Sequence, residues 1–135
     1  MRKIIAIDFD GCLCKNQWPA IGEPNTQAIE AAKRERAEGA ALILWTCREG
    51  ARLRDAVDFC RMYGLEFDAV NENLPEVSER FGGDCRKVSA TEYWDDRAVK
   101  VSFSKPEDPA PQTTARKKKP AASFNWTWQK GKSRV

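Results

Sequence analysis

The sequence predicts an α/β fold, a parallel sheet covered by helices on both faces, and three observations predict it. Residues 2–8 and 40–45 hold continuous apolar runs, the pattern of strands buried on both sides rather than of a half-exposed sheet. Segments with helical apolar spacing fall between such runs, as parallel strands require. Asp8, Thr46 and Asp95 each stand where a predicted strand ends, and the carboxyl ends of parallel strands are where open sheets hold their ligands.

The first strand is Ile4-Ile5-Ala6-Ile7, led in by Arg2-Lys3 and closed by Asp8 ahead of Gly11. Pro24-Asn25-Thr26 carries helix-start chemistry, Ile29, Ala32 and Ala37 mark an apolar face, and Gly39 is the stop. Residues 40–45 form the second buried strand. From Gly50 to Tyr63 the positions Leu53, Ala56, Val57, Cys60 and Tyr63 recur at helical spacing, and Gly64 supplies the left-handed cap. Phe67 to Val70 predicts a third, short strand. Leu74, Val77 and Phe81 predict a short helix ended by Gly82-Gly83, and Thr91 to Trp94 a last strand running into Asp95-Asp96.

A chain of 135 residues has room for one core, with 41% hydrophobic and 32% charged residues. The composition changes after Phe103, which sets the expected organisation: a catalytic domain over 1–103, a Pro- and Lys-rich linker over 104–122 that cannot bury enough apolar surface to order itself, and an aromatic, basic strip over 123–135 with Phe124, Trp126 and Trp128. The net charge of +3 is uneven, since residues 104–135 hold eight Lys and Arg against two acidic residues, on a body with an acidic excess. No apolar run approaches the roughly 20 residues that cross a bilayer, so neither a membrane partner nor secretion is expected and the chain reads as cytoplasmic. Five cysteines without paired spacing read as reduced thiols, structural zinc is disfavoured, and the absence of histidine excludes histidine catalysis.

Asp8-Phe9-Asp10-Gly11 is the informative segment. Residues two apart on an extended chain point the same way, which puts two carboxylates in one site, although alone the segment also reads as a strand ending in a turn. Thr46, between an apolar strand and a helix start, suits a phosphate at the helix's positive end, or is an ordinary Thr near an N-terminus. Lys87 can neutralise a phosphoryl oxygen, or is a solvated surface charge. Asp95-Asp96 is a second acidic pair whose repulsion a cation would offset, and hard oxygen donors with few protein ligands favour magnesium; a solvated turn salt-bridged to Arg97 is the plainer alternative.

Taken in order, Asp8-x-Asp10-Gly11, Thr46, Lys87 and Asp95-Asp96 resemble the four motifs of the haloacid dehalogenase (HAD) superfamily. Leu42 to Gly50 and Tyr93 to Arg97 are similar to its small bacterial and phage-type hydrolase-like members. The resemblance covers about residues 2–99. It implies a three-layer, Rossmann-like HAD fold and a phosphatase in which Asp8 attacks phosphorus and Asp10 serves as general acid and then base. Asp8, the Asp10 carbonyl, Asp95 and Asp96 would hold Mg2+, while Thr46 and Lys87 stabilise the phosphoryl group. Cys12 departs from the Thr or Val common at its position, and Arg86 leaves the identity of the motif lysine open.

Residues 12–24 allow only a short flap and 65–86 are used by a strand and a helix, so no cap domain is expected. The expected substrate is a phosphorylated metabolite or nucleotide, enclosed by a neighbouring subunit if small. Two alternatives stand beside it. One is a phosphatase of nucleic-acid ends that binds through the basic tail; the other is a non-catalytic module that kept the fold.

Overall fold

The computed structural model describes residues 2–103. The expected linker over 104–122 and strip over 123–135 therefore lie outside the described residues. By its contacts the chain separates into Met1–Trp94 and Asp95–Val135.

The first unit is α/β. Its four-stranded sheet is parallel throughout and consists of β1 (Ile4–Ile7), β4 (Ala41–Leu44), β5 (Ala69–Val70) and β6 (Glu92–Trp94), in the order β5-β4-β1-β6. Every residue of β1 and of β4 is buried, as their unbroken apolar character requires. Helices α1 (Thr26–Ala37), α2 (Gly50–Met62) and α3 (Pro75–Phe81) join the strands. One core cluster brings Ile4 and Ala6 of β1 and Ala41 and Ile43 of β4 against Leu74 and Val77 of the α3 segment. The alternate residues Ile5, Ile7, Leu42 and Leu44 are also fully buried. From β1 the chain steps outward to β4 and β5, then returns to place β6 on the other side of β1. This is the reversal of strand order at which open α/β sheets leave a crevice.

The helix ends follow their residue chemistry. The Asn25 side chain accepts the Ala28 amide, α3 begins at Pro75, and Gly82 takes the left-handed conformation (φ 76°) that closes α3. Three expected apolar positions are not core. Ala37 is exposed because, five residues past Ala32, it has rotated away from the buried stripe of Ala28, Ile29 and Ala32. Phe81 (70% exposed) ends α3, and Tyr63 directly follows α2 where the chain turns, so it stays partly exposed with its ring 5.1 Å from that of Phe59.

Residues 12–24, expected as a plain flap, contain a two-stranded antiparallel hairpin of β2 (Cys14–Gln17) and β3 (Ala20–Pro24). All five cysteines carry free thiols, with Cys12, Cys14 and Cys60 buried. No helix among the described residues is long and apolar enough to cross a membrane. The described part of the second unit, 95–103, holds a turn in which the Arg97 amide donates to Asp95 Oδ1 at 2.8 Å, and then exposed chain without helix or strand.

Candidate functional site

The register of the sheet decides which side chains gather at its carboxyl edge. Ile7 of β1 stands opposite Leu44 of β4 and Trp94 of β6. The Asp8 amide donates to the Trp94 carbonyl at 2.9 Å, and the Trp45 amide to the Ile7 carbonyl at 2.8 Å. β1 thus delivers Asp8, β6 hands the chain straight to Asp95 and Asp96, and β4 runs through Trp45 to Thr46. Asp8 stands directly after β1, and Asp95 and Asp96 directly after β6, the strand paired with it. Asp8 and Asp95 are half-buried. Asp96 is exposed as a residue, yet partial burial of its carboxyl group, followed by the Asp95 charge, pushes its pKa above the ordinary value. Asp8, Asp95 and Asp96 are the side chains that the sequence offered as metal donors. The donors are carboxylate oxygens only, which suits magnesium, an ion that keeps waters and shares its shell with phosphate.

The Asp10 carboxylate has a partner of its own. The chain bends at Phe9, whose carbonyl accepts the amides of Cys12, Leu13 and Cys14 at 3.1, 2.9 and 3.4 Å, and Gly11 sits at φ 85°. Asp10 itself forms an isolated bridge with Cys14. Its two carboxylate oxygens are gripped by one guanidinium, with Arg48 Nε to Oδ2 and Nη2 to Oδ1 both at 2.8 Å. Arg48 is 1% exposed, and its pKa is raised chiefly by this hydrogen-bonded pairing with Asp10. Its remaining donors reach the flap, Nη1 to Pro19 O at 3.3 Å and Nη2 to Ala20 O at 3.0 Å. Its guanidinium carbon lies over the rings of Phe9 and Trp18, at 5.1 and 4.9 Å from the centroids.

Thr46 lies at the sheet edge as expected. Its amide is taken by Asn71 Oδ1 at 2.8 Å and its hydroxyl oxygen accepts the Arg48 amide at 3.1 Å, which leaves the hydroxyl proton to be donated. Lys87 is exposed, and its ammonium lies over the Tyr93 ring, 5.6 Å from the centroid. Its loop is fixed by buried Asn73, whose side-chain amide donates to Asp84 Oδ1 at 2.8 Å and whose Oδ1 accepts the Ser89 amide at 2.6 Å. Arg86, the other basic residue considered, is exposed on the same loop. An open cleft of about 220 Å³ borders the Asp10 turn, lined by Gly11, Cys14, Lys15, Glu23, Pro24 and Asn25.

No family model matches the chain, and no curated protein does. Among solved structures it is similar to the conserved protein coded by a locus of Bacteroides thetaiotaomicron. The two share 41% sequence identity over 73% of this chain and 79% of that chain, with a TM-score of 0.66. The chain belongs to the family of that conserved Bacteroides protein.

In this member of the conserved family, sequence reading missed three residues. Arg48 appears in the sequence only as a charge two places beyond Thr46, and its burial depends on a partner 38 positions earlier. Asn71 sits at φ 54°, a region where Asn is the most tolerant side chain after Gly, so an Asn directly after a short strand was the available signal. Trp18, 57% exposed at the hairpin turn, had no periodic partner to mark it.

Proposed function

We propose that the chain is a magnesium-dependent phosphohydrolase of the three-layer, capless HAD type, in which Asp8 attacks phosphorus. The observation that carries the reading is that the paired strands β1 and β6 end side by side, with Asp8 directly after the one and Asp95 and Asp96 directly after the other in the chain. Three carboxylates in one place repel unless a divalent ion or protons offset them, and hard oxygen donors suit magnesium. Asp8, Asp95 and Asp96 would hold the ion, with the Asp10 main-chain carbonyl. Bound there, it supplies charge neutralisation to the phosphoryl oxygens.

The chain's own residues do the rest. An Asp8 oxygen adds to phosphorus as the bond to the leaving oxygen breaks, giving an aspartyl-phosphate. Asp10 carries the proton, first to the leaving oxygen and then from the water that releases phosphate. Each of its oxygens keeps a lone pair beyond the one Arg48 occupies. The Thr46 hydroxyl donates a hydrogen bond to the phosphoryl group and the Lys87 ammonium offsets its charge, so catalysis is mainly positioning and charge. A phosphorylated metabolite or nucleotide in the cytoplasm is the substrate this reading calls for.

The test is a screen of aryl phosphates, metabolites and phosphorylated oligonucleotides with magnesium. Turnover should vanish in chelator and in Asp8→Asn, whose circular dichroism matches the parent. A folded, magnesium-supplied protein that turns over none of these esters, and takes up no phosphate on Asp8, would end the proposal.

A further inference from the structure

We propose that Arg48 is a positioning residue that acts through Asp10, fixing the plane of that carboxylate and tying the flap hairpin to it as one piece. The inference rests on the phosphohydrolase reading and goes beyond it, since none of the four motifs contains this arginine.

The geometry is over-determined. Two parallel hydrogen bonds of 2.8 Å to the two oxygens of Asp10 fix not only where the carboxylate is but how it is rotated, which a single contact cannot do. The arginine is itself clamped at both ends. Its amide donates to Thr46 Oγ1 and its carbonyl accepts from Asn71 Nδ2, while its guanidinium carbon lies over the Phe9 and Trp18 rings. Contacts to the carbonyls of Pro19 and Ala20 join the hairpin to the same cation. If the fold needed only filled volume here, an apolar side chain would supply it without the cost of burying a guanidinium at 1% exposure. A buried fork aimed at one carboxylate suits a group that must meet a reacting oxygen in a set orientation.

The experiment is a kinetic cycle on the full chain with magnesium and an aryl phosphate. Arg48→Lys and Arg48→Met should each lower kcat about 10²-fold, the loss a misplaced reacting group brings, with KM changed less than threefold. In an Asp10→Asn background the same arginine changes should alter kcat less than twofold, because residues that act as a unit are not additive. Penalties that multiply in the double variants, or arginine variants with full activity, overturn the inference and leave the phosphohydrolase reading standing. A wild-type chain without turnover removes both. Hydrogen exchange covers the case in which the arginine variants misfold: Asp10→Asn should speed amide exchange in residues 15–22 and spare β4, and an unchanged flap overturns the inference.

Discussion

Asn71 holds Thr46 from across the sheet edge. Its Oδ1 accepts the Thr46 amide at 2.8 Å and its Nδ2 donates to the Arg48 carbonyl at 3.3 Å, from a backbone at φ 54°. One side chain thus fixes the turn that carries both Thr46 and the arginine on Asp10. Asn71→Ala leaves the Thr46 amide without its acceptor, about 1–3 kcal/mol, and adds the left-handed penalty of about 1–2 kcal/mol for a side chain that cannot bond locally. Asn71→Gly removes the second cost and keeps the first. Urea denaturation should therefore order the proteins wild type, Gly variant, Ala variant. An alanine variant as stable as the parent would show that this turn stands without the asparagine.

The buried thiols make stability depend on alkaline pH. Burial pushes Cys60 up to about 12, from 9.0, and raises Cys14 in the same direction. A thiol with a raised folded pKa holds its proton in the native state after the unfolded chain has released it. Its contribution is full below the unfolded value and is lost as pH rises toward the folded one. Between about pH 9 and 12 stability should fall by up to about 1.4 kcal/mol per pH unit for Cys60. Urea midpoints from pH 8 to 10.5 measure the slope, and Cys60→Ala should flatten it. An equal slope in that variant would assign the loss to other groups.

Most of the sheet was legible because a strand buried on both faces needs no pattern beyond continuous apolarity, as Ile4-Ile5-Ala6-Ile7 and Ala41-Leu42-Ile43-Leu44 have. The hairpin was not, since Cys14-Lys15-Asn16-Gln17 is exposed after its first residue and has its neighbour β3 as its strand partner, outside the main sheet. Asp8, Asp95 and Asp96 were legible as a group because register alone brings strand ends together. The partner of the Asp10 carboxylate was not legible, because nothing near Asp10 in the sequence marks the guanidinium that holds it. Arg48 lay beyond sequence reading altogether, because what buries it is a carboxylate, two carbonyls and two rings supplied by segments remote from it in sequence.

Asp96 should cost stability when no cation is present. Its folded pKa is raised, by burial first and Asp95 second, so its contribution is full below the ordinary carboxyl range and falls as pH rises through the shifted value. At neutral pH in chelator, Asp96→Asn should melt above the parent. Magnesium should raise the melting point of the parent and raise that of the variant less, because an ion that binds only the folded state stabilises by mass action. Loss of even an outer-shell partner typically weakens a metal site 10–100-fold, so half-saturation should move by about that factor. A variant that melts at or below the parent in chelator would mean that the carboxyl group is already compensated.

Gly22 is the point at which the flap tolerates no side chain. A Cβ built there would lie 2.2 Å from the Lys15 carbonyl oxygen and 2.9 Å from its carbon, both backbone atoms of the paired strand, so no rotamer change can make room. Gly22→Ala must push β3 away from β2, and overpacking of this kind costs about 1–3 kcal/mol. The displaced hairpin carries the Pro19 and Ala20 carbonyls that Arg48 binds, so the strain reaches Asp10 through the guanidinium. The expected outcome is a lowered urea midpoint together with faster amide exchange in residues 15–22, while the distant β5 stays protected. A stable variant with parental exchange in the flap would mean that the hairpin relaxes without disturbing its anchor, and that the coupling from Gly22 to Asp10 is not there.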